Sequence, residues 1–156
     1  MFIALPKGLI LFYTVYGNTE KAAQAICEGL KEGGVEAECR DMRKVKPEEL
    51  AMYDILVFGS PTHMESIPND VKTFMKRLRK QDVKGKRGAA FDTRYEDAKV
   101  GALNVLEDRM RELGITILRS GLPVLLPSWA AEGPLKEGEL TKCKEFGRIL
   151  AQAVKA

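Results

Sequence analysis

The sequence predicts a doubly wound α/β fold, in which a five-stranded parallel sheet in the order 2-1-3-4-5 carries helices on both faces. Continuous apolar runs such as "GLILFYT" (8–14) are typical of strands that are buried on both faces. Segments with helical apolar spacing lie between these runs. Strict alternation in "VEAECR" (35–40) indicates an edge strand, which favours the stated order.

The individual elements follow from the same patterns. Strands are expected at residues 8–14, 35–40, 54–60 and 86–93, with a fifth at 115–127 that is extended or broken around Gly121. Apolar stripes predict the helices, marked in turn by Ala22, Ile26 and Leu30; by Val71, Phe74, Met75 and Leu78; by Leu103, Leu106, Met110 and Leu113; and by Leu140, Cys143, Gly147, Leu150 and Val154. Glycines at 33–34 and 114 end two of these helices.

Composition narrows the class of protein. The chain has 156 residues, 45% of them apolar and 30% charged, with a net charge of +3, which predicts a single domain over residues 1–156. The basic residues form no stripe for nucleic acid, and no apolar run is long enough to span a membrane. One histidine and three dispersed cysteines argue against a zinc site. We therefore expect a cytoplasmic protein.

Three polar loops mark the expected binding site. Residues 14–19, 61–67 and 92–97 follow the first, third and fourth strands. In a doubly wound sheet, ligands bind at the carboxyl ends of the strands beside the point where the strand order reverses. These loops should therefore meet around one ligand.

The loop at residues 14–19, "TVYGNT", leads from a buried strand into a helix. Backbone N–H groups at a helix amino terminus, together with Thr14, Asn18 and Thr19, favour an anion. The loop contains neither GxxxxGK[ST] nor GxGxxG, and it has no lysine. It suits a phosphomonoester that is held in place, such as that of a cofactor; the alternative is a turn that only caps the helix.

These residues carry a family resemblance. The segment "TVYGNTE" (14–20) resembles the phosphate loop of flavodoxins and of the flavodoxin domains in flavodiiron proteins, and "VFGSPTH" (57–63) resembles the strand and loop that follow. The segments at 89–97 and 132–151 are similar to small stand-alone flavodoxin-domain proteins. The resemblance covers nearly the whole chain.

The resemblance implies an FMN cofactor and a set of contact residues. The phosphate would be held by Thr14, Val15 (through its N–H), Tyr16, Gly17, Asn18 and Thr19. One side of the isoalloxazine ring and the ribityl chain would meet Pro61, Thr62, His63 and Met64. The other wall and the pyrimidine edge would meet Asp92, Thr93, Arg94 and Tyr95.

Some residues depart from the flavodoxin pattern. His63 and Met64 stand where a flavodoxin usually has an aromatic residue against the ring, and no glycine corresponds to the one beside flavin N5. His63 is either a proton donor to the flavin or a loop residue that packs or faces solvent. Arg94 either stabilises the reduced flavin, which would raise its reduction potential, or pairs on the surface with Glu96 or Asp97.

The resulting functional expectation is an FMN-binding electron carrier between redox partner proteins, either a monomer or a weak homo-oligomer. One alternative is an NAD(P)H-dependent FMN or quinone reductase of the same fold, and another is a binding or regulatory module without flavin. The basic segment 76–87 is either a solvated face or a docking site for an acidic partner. Trp129 is expected to cover the edge of the sheet.

Overall fold

The computed structural model describes residues 4–129 and 132–155. Strands and helices alternate along this part of the chain. The strands are β1 (Lys7–Phe12), β2 (Glu36–Asp41), β3 (Ile55–Pro61), β4 (Arg87–Tyr95), β5 (Thr116–Ile117) and β6 (Leu122–Leu126). The helices are α1 (Asn18–Glu32), α2 (Asn69–Arg77), α3 (Leu103–Glu112) and α4 (Glu139–Lys155), with short 3-10 helices at Met42–Lys44, Pro47–Met52 and Leu78–Lys80.

All the strands join one parallel sheet. Its order is β2-β1-β3-β4-β5, and β6 also pairs with β4. The predicted order 2-1-3-4-5 is therefore confirmed, with β5 and β6 as two pieces of the fifth strand. The break falls at residues 118–121, where four residues lie opposite Ala89 and Ala90 of β4.

The buried strands send alternate side chains into two separate cores. Leu9, Leu11 and Phe58 pack with α2 and α3 on one face of the sheet. Ile10 and Val57 pack with α1 and α4 on the other face. Because both faces of β1 and β3 are covered, their sequences are almost continuously apolar.

Helices α1 and α4 cross at very close range. A Cβ atom added to Gly147 would lie 2.2 Å from the Ile26 carbonyl oxygen, and one added to Gly29 would lie 2.0 Å from that of Lys144. Glu32 bridges the same pair of helices, with its carboxylate 2.7 Å from the Arg148 Nη2 atom. The crossing fixes where α1, and therefore its amino terminus, lies on the sheet.

The basic segment 76–87 lies away from the three polar loops. Helix α2 begins beside the carboxyl end of β3 and carries the chain back to the start of β4 at Arg87. Lys76, Arg77, Arg79 and Lys80 are exposed. This placement favours the solvated-face interpretation. Within the described ranges, no helix combines the length and apolar character needed to cross a bilayer.

The close α1–α4 crossing predicts that Gly147→Ala destabilises the protein, although Gly→Ala substitutions in helices usually stabilise. Gly→Ala in an open helix raises stability by about 1 kcal/mol. Gly147→Ala should instead lower the free energy of unfolding by about 1–3 kcal/mol, because the methyl group overlaps backbone atoms of α1. Denaturant unfolding measures the difference, and Gln152→Ala, at an exposed position of α4, is the control. A more stable Gly147→Ala variant would contradict the close crossing.

Candidate functional site

The three polar loops line a single cavity of about 670 Å³ at the carboxyl ends of β1, β3 and β4. Every site residue proposed from the sequence lines it except Gly17 and Asp92. The lining residues among those proposals are Thr14, Val15, Tyr16, Asn18, Thr19, Pro61, Thr62, His63, Met64, Thr93, Arg94 and Tyr95. The predicted convergence of the loops is therefore present in the structure.

Sequence reasoning missed a second set of lining residues. They are Tyr13, Ser66, Ile67, Pro68, Asn69, Asp70, Lys72, Ala98 and Leu126. Most adjoin the predicted loops, at the end of β1 or in the first turn of α2, and extending each loop to the next element finds them. A hydrogen bond to Asp70 raises the pKa of the Tyr13 hydroxyl. Leu126 ends the fifth strand and carries no polar signal in the sequence.

The loop at 14–19 turns sharply into α1 at Gly17. This residue has φ 94° and ψ −10°, a left-handed conformation that glycine adopts without strain. Its N–H donates to the Thr14 Oγ1 atom at 2.9 Å, and its carbonyl accepts from the Lys21 N–H at 3.1 Å. The turn thereby presents the first residues of α1 to the cavity.

Several backbone donors of this loop are available to a ligand. Among the described residues, the N–H groups of Val15, Tyr16, Thr19 and Glu20 have no hydrogen-bond partner. Two of them belong to the first turn of α1, where the helix dipole adds positive potential. A phosphate group, which is rich in acceptors and negatively charged, matches this set of donors.

The side chains of Asn18 and Thr19 make bonds within the protein. The Asn18 Nδ2 atom donates to the carbonyl oxygen of Gly133 at 2.8 Å. The Thr19 and Thr93 Oγ1 atoms are 3.0 Å apart, and both residues are buried. These bonds fasten the loop to β4 and to the segment before α4, so the anion-binding donors are mainly backbone groups.

The second loop contains a strained two-residue turn. His63 and Ser66 exchange two backbone hydrogen bonds of 2.8 and 3.0 Å. Between them, Met64 and Glu65 have φ of 51° and 63°, the signs of a type I′ turn, which normally contains Asn-Gly. Met64 is 90% exposed. The turn therefore fixes the backbone of this wall and leaves the Met64 side chain in solvent.

The third wall is built around a buried ion pair. The Arg94 Nη2 atom lies 2.7 Å from the Asp92 Oδ2 atom. Asp92 is fully buried, and burial raises the pKa of its carboxyl group. The alternative in which Arg94 pairs on the surface with Glu96 or Asp97 is not found, because Arg94 bonds to the buried Asp92 on the same side of β4. Glu96 pairs with Lys136 instead.

Trp129 corrects another expectation. It was predicted to cover the sheet edge, but it is 84% exposed. It lies between the end of β6 and Gly133, which accepts the hydrogen bond from Asn18. The indole therefore lies outside the core, three residues after Leu126, the last residue of β6.

The comparisons with known proteins agree with this geometry. The sequence model of the flavodoxin family matches residues 10–146, and the chain therefore belongs to that family. Its members bind FMN and act as flavoprotein electron carriers. The fold and the donor-rich loop at the start of α1 fit this class of protein.

Two curated relatives and one solved structure illustrate the match. A flavodoxin of Clostridium saccharobutylicum is 27% identical over 157 residues, covering 96% of this chain and 98% of the relative. An NAD(P)H dehydrogenase (quinone) of Archaeoglobus fulgidus is 29% identical over 116 residues, but this covers 56% of the chain and 61% of the relative. Oxidised flavodoxin 2 of Bacillus cereus superimposes with a TM-score of 0.80 at 28% identity, over 96% of this chain and 99% of that one.

The strained turn predicts that two substitutions together stabilise the protein. Met64→Asn with Glu65→Gly supplies the residues that a type I′ turn prefers. Because a left-handed non-glycine residue costs on the order of 1–2 kcal/mol, the apoprotein should gain about 1 kcal/mol or more in the free energy of unfolding. Denaturant unfolding of the apoprotein provides the measurement. Met64→Lys, which changes the exposed side chain but keeps a non-glycine residue, should leave stability almost unchanged, and an equal gain in that control would exclude backbone strain.

Proposed function

We propose that this cavity binds FMN, with the phosphate at the amino terminus of α1 and the flavin ring between the second and third loops. The cluster of available backbone N–H donors at residues 15, 16, 19 and 20 carries the proposal. Bound FMN supplies the redox chemistry, while the chain binds it, orients it and sets the surrounding charge. Electron transfer between partner proteins is the function that this arrangement supports best.

The residues of the cavity fit the parts of FMN in turn. Backbone donors and the Thr14 hydroxyl suit the phosphate, and the left-handed turn at Gly17 presents them together. The apolar faces of Met64 and Tyr95 suit a flat aromatic ring. The proposed contact residues are Thr14, Val15, Tyr16, Gly17, Asn18, Thr19, Pro61, Thr62, His63, Met64, Thr93, Arg94 and Tyr95, with Asp92 behind Arg94.

His63 belongs to the wall of the site in this proposal. It lies in the exposed turn, and its imidazole ring makes no hydrogen bond with any described residue. A histidine that protonates the flavin would need to be held in a fixed orientation toward it. Nothing within the described ranges holds the ring in that way, so packing or solvent contact is the better assignment.

We propose that redox partners dock on the cavity mouth. Val15, Tyr16 and Met64 are large apolar residues that line the cavity and are exposed. Clustered apolar residues on an exposed surface mark interaction sites, and contact there would bring a partner close to the flavin. Monomeric or weakly associated protein keeps this surface accessible. The three cysteines are free thiols, which suits action in the cytoplasm.

Discrimination between FMN and riboflavin tests the assignment of the phosphate loop. Riboflavin, which lacks the phosphate, cannot use the backbone donors at residues 15, 16, 19 and 20, and each charge-assisted hydrogen bond contributes about 1.5–3 kcal/mol. FMN should therefore bind at least a hundredfold more tightly in a fluorescence titration. Gly17→Val, which strains the left-handed turn, should lower the affinity for FMN toward that for riboflavin. Equal affinities of the wild-type protein for the two ligands would refute the phosphate site.

A reductase is the second candidate, favoured by the match to an NAD(P)H dehydrogenase (quinone) and by the exposed cavity mouth. A carrier should oxidise NADH or NADPH, in the presence of FMN and a quinone, no faster than free FMN does. Steady-state absorbance at the nicotinamide band measures this rate. Saturable turnover well above the free-FMN rate would replace the carrier with a reductase.

A further inference from the structure

We propose that Asp92 is the counterion that masks Arg94 in the flavin site, so that Arg94 donates hydrogen bonds to the flavin without strongly favouring its reduced form. The inference rests on the proposed FMN site and deepens it. Its subject is the ion pair at the end of β4, where one residue faces the cavity and the other lies behind it.

Arg94 retains donors that face the cavity. Its Nε atom lies 3.1 Å from the Asp92 Oδ1 atom and 3.2 Å from the Oδ2 atom, and its Nη2 atom lies 2.7 Å from Oδ2. A guanidinium group has five N–H donors, so three remain, and no described residue accepts from them. The side chain is 13% exposed and lines the cavity. These donors can reach a carbonyl-bearing edge of a flavin ring.

Asp92 is held by hydrogen bonds from three segments: the end of β4, the second loop and the start of α3. Besides Arg94, it accepts a hydrogen bond from the Thr62 hydroxyl at 3.2 Å and another from the Leu103 N–H. Thr62 Oγ1 in turn accepts from the Ala102 N–H at 3.1 Å. Asp92 is fully buried and is not a lining residue. It therefore acts through Arg94 as a positioning residue.

The backbone before α3 holds the pair in place. A Cβ atom added to Gly101 would lie 2.3 Å from the Asp92 Oδ2 atom and 2.5 Å from the Arg94 Cζ atom. Glycine at this position lets the chain pack directly on the pair and leaves neither side chain room to turn away. This packing holds the carboxylate and the guanidinium together.

The electrostatic consequence follows from the short separation of the two charges. A lone guanidinium close to the flavin attracts the negative charge that reduction adds. With a carboxylate bonded to it, the same guanidinium acts as part of a dipole, whose potential falls off faster with distance. The pair then contributes little to the preference of the site for reduced over oxidised FMN, and the expected effect of Arg94 on the reduction potential is correspondingly smaller.

A second Asp-x-Arg pair serves as a matched control. Asp41 and Arg43 follow the same spacing at the end of β2, with Nε to Oδ1 at 3.0 Å and Nη2 to Oδ2 at 2.6 Å. Arg43 is 53% exposed on its side chain, lies over the Tyr13 ring at 5.1 Å and is not a lining residue. When Asp41 loses its charge, solvent should screen the charge of Arg43 that is left unpaired.

The experiment compares the affinity of each protein for oxidised FMN with that for chemically reduced FMN. Asp92→Asn keeps the shape and an acceptor for Arg94, and it should shift the ratio toward reduced FMN by about tenfold or more. Arg94→Gln should shift it in the opposite direction. The double variant and Arg94→Lys should stay within about threefold of wild type, and Asp41→Asn should not change the ratio.

The outcomes separate this proposal from the site on which it rests. Thermal unfolding of each apoprotein first establishes that the variant is folded. If the wild-type protein fails to bind FMN, the proposed function fails. If it binds FMN, and Asp92→Asn leaves the ratio unchanged or shifts it toward the oxidised form, the counterion role is refuted. Should Asp92→Asn not fold, the double variant decides, since a ratio shifted toward oxidised FMN as far as in Arg94→Gln overturns the proposal, whereas a ratio near that of wild type supports it.

Discussion

The burial of β1 and β3 on both faces is the constraint on which the site depends. The strands pair in parallel, and parallel strands need crossover helices, which cover both faces of the sheet. Leu9 pairs with Leu56 and Phe12 with Gly59, so the two strands leave the sheet at the same edge. The loops after β1, β3 and β4 therefore lie side by side at this edge, and the cavity between them is a consequence of how the core is built.

The anion-binding end of α1 depends on the same packing. Its backbone N–H groups can bind a ligand only if the amino terminus of the helix points at the cavity. That direction is set by the close contact of Gly29 with α4 and, at the cavity itself, by the bond from Asn18 to Gly133. A binding site made of backbone groups is therefore as rigid as the core that holds its helix.

Charge is balanced locally around the flavin site, although the whole chain carries +3. Asp92 offsets Arg94, and Glu96 offsets Lys136. Much of the excess positive charge lies on the segment 76–87, at the other end of the sheet. Net charge thus bears on solubility and on association with other molecules. The electrostatic potential at a bound flavin would depend instead on the nearby ion pairs and on the helix dipole.

The sequence by itself determined the strands, the helices, the sheet order and the three loops that meet at the site. These features follow from local periodicity and from runs of apolar residues, which can be read from each segment without knowledge of the rest of the chain. The loop with unpaired donors at the start of α1 could also be located, because a helix start creates unpaired donors wherever it occurs.

Only the tertiary structure decided which polar side chains meet. The pairing of Arg94 with Asp92, the contact of Asn18 with Gly133 and the exposure of Trp129 all differ from, or go beyond, what the sequence pattern indicated. Each depends on the direction of a side chain and on residues distant in the chain, brought together by the sheet register and by the interrupted fifth strand. Periodicity specifies which face of an element is buried, but it does not specify which partner a polar group finds there.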